Sequence, residues 1–182
     1  PPTATLARMT SSPFGRVITA MVTPMTPDGA LDTRGAAAVV EHLVATGHDG
    51  VVVNGTTGES PTLSSAESIA MVEAVKQAAG DRLLVTAGVG SNNTAHAIQM
   101  AADATSAGAD GLLVVSPYYN KPTQAGLLAH TRAIADAAEL PVMLYDIPGY
   151  GKLLCNTDGG MNTYPDLAKK ADILENAAVL LR

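Results

Sequence analysis

Three short runs of hydroxyl-bearing and small residues follow apolar segments of the chain, and their side chains could bind anions or move protons. The first run, residues 54–60, places Thr56 and Thr57 between two glycines. Such a turn can present backbone N–H groups to a carboxylate or phosphate, although an ordinary turn rich in small residues has the same composition. The second run, residues 116–122, contains Tyr118 and Tyr119, a pair that is also common in packing. The third contains Tyr145, whose hydroxyl could relay protons.

The apolar segments before these runs predict the strands that must position them. Five such segments recur about every 31 residues, which is the size of one strand-plus-helix unit. They are residues 17–22, 50–53, 83–87, 111–115 and 141–145. Their residues are apolar in succession and do not alternate with polar ones, so we expect both faces to be buried, as in a parallel sheet.

Alanine-rich stretches between the strands predict helices with recognisable start signals. We expect N-caps at Asp32, at Ser64 or Ser65, at Asn93 or Thr94, and at Thr123. Glu67 is placed to complete a capping box with the second of these. A glycine or a proline follows each stretch and predicts its end.

The loops distinguish between the two common folds built from such units. The first strand leads into Thr-Pro-Met-Thr-Pro at residues 23–27, which lacks the glycine pattern of a dinucleotide-binding sheet. Small polar residues follow every strand instead, as in a (β/α)₈ barrel. We therefore predict an α/β fold of the TIM-barrel family.

Length limits how much of a barrel the chain can form. Eight units would need roughly 250 residues, whereas the chain has 182. We expect an incomplete barrel of about five βα units over residues 13–149, preceded by a flexible arm at 1–12. A divergent tail over 150–182 would consist of a loop and then a helix at 166–181. The two open sheet edges predict aggregation or association through oligomer contacts.

Composition excludes several classes of protein. The chain is 47% hydrophobic and 15% charged, with 11 Lys and Arg against 17 Asp and Glu, a net charge of −6. A disordered segment would have fewer apolar residues and more charged ones, and a nucleic-acid-binding domain would normally carry a basic face. The single cysteine, Cys155, cannot form an internal disulfide, and no apolar run is long enough to span a membrane. We expect a cytoplasmic protein without nucleic-acid or membrane partners.

Five segments together resemble the dihydrodipicolinate synthase (4-hydroxy-tetrahydrodipicolinate synthase) family of pyruvate-dependent class I aldolases. They are residues 20–25, 55–60, 87–92, 118–122 and 145–149, and their order and spacing agree over about residues 14–149. The run Tyr-Tyr-Asn-Lys-Pro at 118–122 favours the synthase over N-acetylneuraminate lyase and sugar-acid aldolases. The resemblance implies a lyase of lysine and diaminopimelate biosynthesis, which condenses pyruvate with aspartate semialdehyde through a lysine Schiff base.

The resemblance also implies roles for single residues. Thr57 and Tyr145 would form a proton relay with Tyr119, which a neighbouring subunit would supply. Thr56 and Thr57 would bind the pyruvyl carboxylate. Family members are commonly dimers of dimers, so a homo-oligomer is expected, and no metal or organic cofactor is implied.

Two residues of the family pattern are not found in the chain. Tyr150 stands where the pattern has a carboxylate-binding arginine, and no later strand ends in the Schiff-base lysine. Lys152 lies in a predicted loop, and Lys169 and Lys170 lie on the predicted tail helix. Lys121 belongs to residues 116–122, which we call the tyrosine loop. The Schiff-base lysine is therefore left unassigned. Cys155 has no activating neighbour.

Two hypotheses remain, and the histidines do not decide between them. The chain is a family member whose C-terminal part is altered or missing, or it is a non-catalytic truncated paralogue that acts as a pyruvate-binding or assembly module. Another pyruvate-dependent aldolase activity also stays open. We expect His42, His48, His96 and His130 to be surface or helix-packing residues.

Overall fold

A five-stranded parallel sheet with four helices makes up residues 13–145, which are the residues that the computed structural model describes. The predicted N-terminal arm and everything after Tyr145 lie outside the described residues. This applies to the loop at 146–149, the tail helix, Tyr150, Cys155 and the three tail lysines.

The strands follow one another across the sheet in chain order. They are β1 (Ile18–Ala20), β2 (Gly50–Val53), β3 (Leu84–Gly88), β4 (Gly111–Val115) and β5 (Val142–Tyr145), all parallel. The helices between them are α1 (Thr33–Ala45), α2 (Ser65–Ala79), α3 (Thr94–Ser106) and α4 (Gln124–Asp136). A doubly wound sheet reverses its strand order, whereas a barrel does not. The predicted fold, an incomplete barrel of the TIM-barrel family, is confirmed, with four complete βα units and a fifth strand.

Each helix begins where its sequence signal predicts. Asp32 accepts a hydrogen bond from the N–H of Gly35, and Thr123 accepts one from Gly126. Ser64, and not Ser65, caps α2, and Glu67 closes the capping box by accepting from the Ser64 N–H at 2.8 Å. The Ser64 hydroxyl, which donates to the same carboxylate at 2.7 Å, and then the Ser64 N–H lower the pKa of the Glu67 carboxyl. Asn93 caps α3.

Alternate residues of each strand lie on opposite faces of the sheet. One face packs against the helices and forms the core, and we call the other the inner face. The residues on the first face pack with the helices into a single hydrophobic core and are almost completely buried: Val51, Val53, Val85, Ala87, Leu112, Val114 and Val142. The other face carries Thr86 and Leu113, and at the strand ends it meets the loops described below. Because the core side is so closely filled, the strand ends are held in fixed positions.

Strand β1 is shorter than predicted. The pattern indicates a strand over 17–22, but regular pairing covers Ile18–Ala20. Further hydrogen bonds flank it: the Met21 N–H donates to the Val52 carbonyl at 3.0 Å, and the Gly50 N–H donates to the Val17 carbonyl at 3.2 Å. Val17 and Val22 are about half exposed, at 51% and 52%. Among residues 13–145, β1 and β5 each pair on one side only, so the apolar residues of β1 lack the neighbours that would bury them.

Candidate active site at the carboxyl ends of the strands

A cleft of about 400 Å³ lies where the carboxyl ends of the strands meet the following loops. Its lining includes Thr56 and Ser60 after β2, Gly90 and Ser91 after β3, Tyr118 after β4, and Tyr145 at the end of β5. Loops from four strands therefore contribute to one concave surface. This is the edge at which (β/α)₈ barrels place their active sites.

Thr56 and Tyr145 line the same cleft although they are distant in sequence. Both also line a narrower recess of about 50 Å³, together with Gly88 and Leu113 on the inner face. The Ser116 N–H donates to the Tyr145 carbonyl at 3.2 Å, which fixes the end of β5 against β4. Tyr145 remains 39% exposed where it lines the cleft.

Residues 55–62, which we call the threonine turn, are folded into two short 3₁₀ turns, Thr56–Gly58 and Ser60–Thr62. The N–H groups of Gly58 and Ser60 donate to the Gly55 carbonyl, and that of Glu59 donates to Thr56. The expectation that these N–H groups form an open anion-binding nest is therefore wrong for these three residues. An anion here would rely on hydroxyl groups and on N–H groups earlier in the turn.

Two of the predicted site residues are not brought into the cleft. Thr57 is exposed on the threonine turn and does not line the cleft that residues 13–145 form. Tyr119 is 90% exposed and is not among the residues that line the cleft, whereas Tyr118 is. Within one chain the structure thus brings together Thr56 and Tyr145, and leaves Thr57 and Tyr119 at the surface.

The tyrosine loop holds Tyr119 in an unfavourable backbone conformation. Its φ is +70°, and that of Lys121 is +46°, in the left-handed region that costs a non-glycine residue roughly 1–2 kcal/mol. Asn120 lies between them and donates from its side chain to the Asn92 carbonyl at 3.0 Å, and from its N–H to the Tyr118 carbonyl at 2.9 Å. The loop is therefore tied to the loop after β3 while it presents an aromatic ring to solvent.

Neither of the two lysines within residues 13–145 lies in the cleft. Lys76 is in the last turn of α2, and its amine contacts both carboxylate oxygens of Asp110, at 2.7 and 2.8 Å. Asp110 immediately precedes β4, so this ion pair is at the opposite edge of the sheet from the cleft. Lys121 is exposed in the tyrosine loop. The described residues do not supply a Schiff-base amine, and the lysine stays unassigned.

Two histidines differ in their surroundings. His130 of α4 is buried, as expected for a helix-packing residue, with Nδ1 2.9 Å from the Thr94 hydroxyl; its Nε2 has no hydrogen-bond partner within residues 13–145. Burial lowers the pKa of its imidazole. His96, in the first turn of α3, lines the cleft and is a site residue that the sequence reasoning missed. The available signal was its position three residues after the Asn93 cap, because the first turn of a helix that follows a strand lies near the carboxyl end of that strand.

Residues 13–145 contain no group of three or more His, Cys, Asp or Glu side chains arranged to hold a metal ion. Over the same range, no helix is both long enough and apolar enough to cross a membrane.

The sequential parallel sheet and the cleft at its carboxyl edge define a (β/α)₈-barrel type of enzyme scaffold. A model of the dihydrodipicolinate synthetase family matches residues 13–169, which extends beyond Gly149, where the quoted motifs end. The chain belongs to this family.

Named relatives agree with this assignment. The chain is 61% identical over 147 residues to 4-hydroxy-tetrahydrodipicolinate synthase 2 of Streptomyces coelicolor, which covers 81% of this chain and 49% of the relative. It is 62% identical over 138 residues to the synthase of Acidothermus cellulolyticus, covering 76% and 45%. The crystal structure of the Acinetobacter baumannii synthase complexed with pyruvate superposes with a TM-score of 0.74 at 42% identity, covering 77% and 49%. The chain thus spans about half the length of the relatives that it matches.

Proposed function

We propose that this chain carries one part of the active site of a 4-hydroxy-tetrahydrodipicolinate synthase, a lyase that condenses pyruvate with aspartate semialdehyde in the cytoplasm. The observation that carries the proposal is the convergence of Thr56 and Tyr145 on one cleft at the carboxyl edge of the sheet. Family membership and the pyruvate complex of the Acinetobacter baumannii relative support pyruvate as the first substrate.

In this proposal the hydroxyl of Thr56 binds the carboxylate of pyruvate, and Thr57 assists from the same turn. A hydroxyl donating to an ionised carboxylate makes a charge-assisted hydrogen bond, which is stronger than a neutral one. The phenol of Tyr145 moves protons to and from the condensing intermediates, because it lies at the same cleft and stays accessible.

Tyr119 completes the proton relay from a second copy of the chain. Two observations support this arrangement: the ring is 90% exposed, and its backbone is held at φ +70° by a loop that Asn120 ties down. Strained residues of this kind persist where the surrounding structure holds them for function. A homo-oligomer would bury the ring and join it to the partner's cleft.

The Schiff-base amine comes from residues outside 13–145. It must be uncharged to attack the carbonyl of pyruvate, which requires a site that disfavours the ammonium form. Apolar side chains in the cleft lining, among them Leu63, Met100 and Val115, would help to exclude water around such an amine.

The absence of a suitable lysine within residues 13–145 favours a second candidate function, a pyruvate-binding or assembly module without catalysis. The same cleft would then hold the 2-oxoacid through Thr56 alone. Another pyruvate-dependent aldolase reaction would use the same first half of the mechanism and would differ in the second substrate.

Borohydride reduction in the presence of pyruvate distinguishes these functions. If an amine of the chain forms a Schiff base, borohydride reduces the C=N bond and leaves a permanent carboxyethyl group on the lysine; intact-mass measurement detects this group, and peptide mapping then identifies the lysine. Reduction without pyruvate, and with pyruvate but without borohydride, are the controls. An unmodified chain that still binds pyruvate would support the binding module, and a chain that neither binds nor reacts would refute both.

A further inference from the structure

Two buried polar side chains form hydrogen bonds at the threonine turn: Thr23 bonds to Gly58 within the turn, and Asn54, directly before the turn, bonds to Ser68 of α2. We propose that Thr23 and Asn54 are positioning residues that fix this turn and thereby place the Thr56 hydroxyl at the cleft. The inference rests on the proposed function, because Thr56 matters only if it binds the substrate carboxylate.

The threonine turn needs support from outside itself. Its internal hydrogen bonds close only short 3₁₀ turns, which are weaker than an α-helix of the same length. Glu59 joins the two turns with φ +54°, a left-handed conformation that is unfavourable for a residue with a side chain. A segment with these properties would sample other conformations unless neighbouring groups restrained it.

Thr23 provides the first restraint, from the loop after β1. Its side chain is buried, and its hydroxyl donates to the Gly58 carbonyl at 2.6 Å across 35 positions of sequence. A Cβ at Gly58 would lie only 3.0 Å from the Thr23 oxygen, so the glycine permits this close approach. The Thr23 segment is itself anchored, because the N–H of Asp32 donates to the Pro24 carbonyl at 2.9 Å.

Asn54 provides the second restraint, on the side of α2. It is 6% exposed, has φ +54°, and donates from its side-chain nitrogen to the Ser68 carbonyl at 2.9 Å. This bond joins the end of β2, directly before the turn, to the first turns of α2. Its side-chain oxygen has no hydrogen-bond partner among the described residues, so the nitrogen carries its contribution.

One bond holds the residue directly before the turn and the other holds the fourth residue of the turn, and Thr56 lies between these two residues in sequence. Loss of either bond would leave a buried polar group unpaired and would free one end of the turn. Thr56 would then reach the position for carboxylate binding only part of the time, without any change in its own chemistry.

Amide hydrogen exchange of the whole chain, followed by NMR, tests the inference without relying on activity. Thr23→Val keeps the shape of the side chain and removes the donor. We expect the N–H groups of Gly58, Glu59 and Ser60 to exchange about tenfold faster, since one hydrogen bond of ordinary strength is lost. Thr131→Val is the matched control, because Thr131 is also buried and donates to a backbone carbonyl, that of Leu127, in α4. It should leave these three amides unchanged.

Two further variants make the test specific. Thr23→Ser retains the hydroxyl and should restore slow exchange. Asn54→Asp keeps the size and the tolerance of a left-handed backbone but removes the nitrogen donor, so it should also accelerate exchange; it decides the question if Thr23→Val does not fold.

Titration with pyruvate separates this inference from the proposed function. Pyruvate-dependent shifts of the Thr56 amide in the unaltered chain support the carboxylate site, and Thr23→Val should then weaken binding several-fold. If the unaltered chain shows no such shifts, the role of Thr56 fails while the exchange comparison still stands. The positioning role is refuted if both Thr23→Val and Asn54→Asp leave exchange of the turn within twofold, or if Thr131→Val accelerates it equally.

Discussion

Gly88, the last residue of β3, is the position at which a single added methyl group should damage the site most. A Cβ there would lie 2.8 Å from the carbonyl carbon and closer still to the carbonyl oxygen of Asn54, and 3.2 Å from the amide nitrogen of Gly55. Real Cβ atoms essentially never approach within 3.0 Å of another heavy atom. The opposing atoms are backbone, so no side chain can rotate away, and β3 or the threonine turn must move.

The expected loss of unfolding free energy follows from the kind of strain that the methyl group causes. Inserting a methylene into a filled site costs typically 1–3 kcal/mol, and the upper part of this range applies because the clash is with backbone. We therefore expect Gly88→Ala to lower the free energy of unfolding by about 2–3 kcal/mol. Gly88 does not have a positive φ, so the effect would be steric and not conformational.

Gly55→Ala is the matched control for this prediction. Gly55 lies in the same turn with φ −86°, and its Cβ would meet only Val52 Cγ1 at an ordinary 3.6 Å. Alanine at such a position should change stability by less than about 1 kcal/mol, and in the stabilising direction. Urea unfolding followed by far-ultraviolet circular dichroism measures both variants. Equal stabilities of Gly88→Ala and Gly55→Ala would show that the contact between β3 and the threonine turn is not close, and the reasoning would fail.

Two other predictions concern the core and the buried histidine. Leu112→Ala, at a fully buried side chain, should cost about 2–5 kcal/mol of unfolding free energy; Leu113→Ala, on the half-buried inner face, should cost clearly less, and similar losses would contradict the assignment of the two faces. His130 has a pKa below its ordinary value, so the unfolded state binds more protons and stability should fall as pH drops through the unfolded value of 6.5. His130→Asn should remove part of this fall in urea unfolding at several pH values, whereas exposed His42→Asn should not; equal pH dependence in both variants would rule the mechanism out.

Regular elements could be predicted from sequence because their signals are local. The capping box of Ser64 and Glu67 and the unbroken apolar run of β4 each lie within a few residues, and the structure places both as predicted. The limits of β1 were less predictable, since whether Val17 and Val22 belong to a strand depends on a neighbour on the far side of β1 and not on their own pattern.

The site could be predicted only in part, for the same physical reason. Thr56 and Tyr145 lie at strand ends, and parallel strands bring their carboxyl ends to one edge, so their convergence follows from the topology. The role of Thr23 depends on a hydrogen bond to a residue 35 positions away. In the sequence, Thr23 stands in a segment that contributes to the family resemblance and lacks a phosphate-binding pattern, and neither observation indicates this hydrogen bond. The hydrogen bond from the Ser60 N–H to the Gly55 carbonyl also depends on the sign of φ at Glu59, which its residue type does not indicate.

The position of Tyr145 constrains where a catalytic amine can enter. Tyr145 ends β5, the last strand of the described sheet, and it lines the cleft from that side. Thr56 reaches the cleft from β2, and the lysines of residues 13–145 lie at the opposite edge or on the outer loop. In the proposed mechanism Thr56 binds the carboxylate of pyruvate and protons pass to Tyr145, so the amine must reach the space between these two hydroxyls, whereas Lys76 lies at the opposite edge of the sheet. Peptide mapping of a borohydride-trapped adduct to Lys76 would therefore contradict the proposed orientation of the substrate, even if a Schiff base forms.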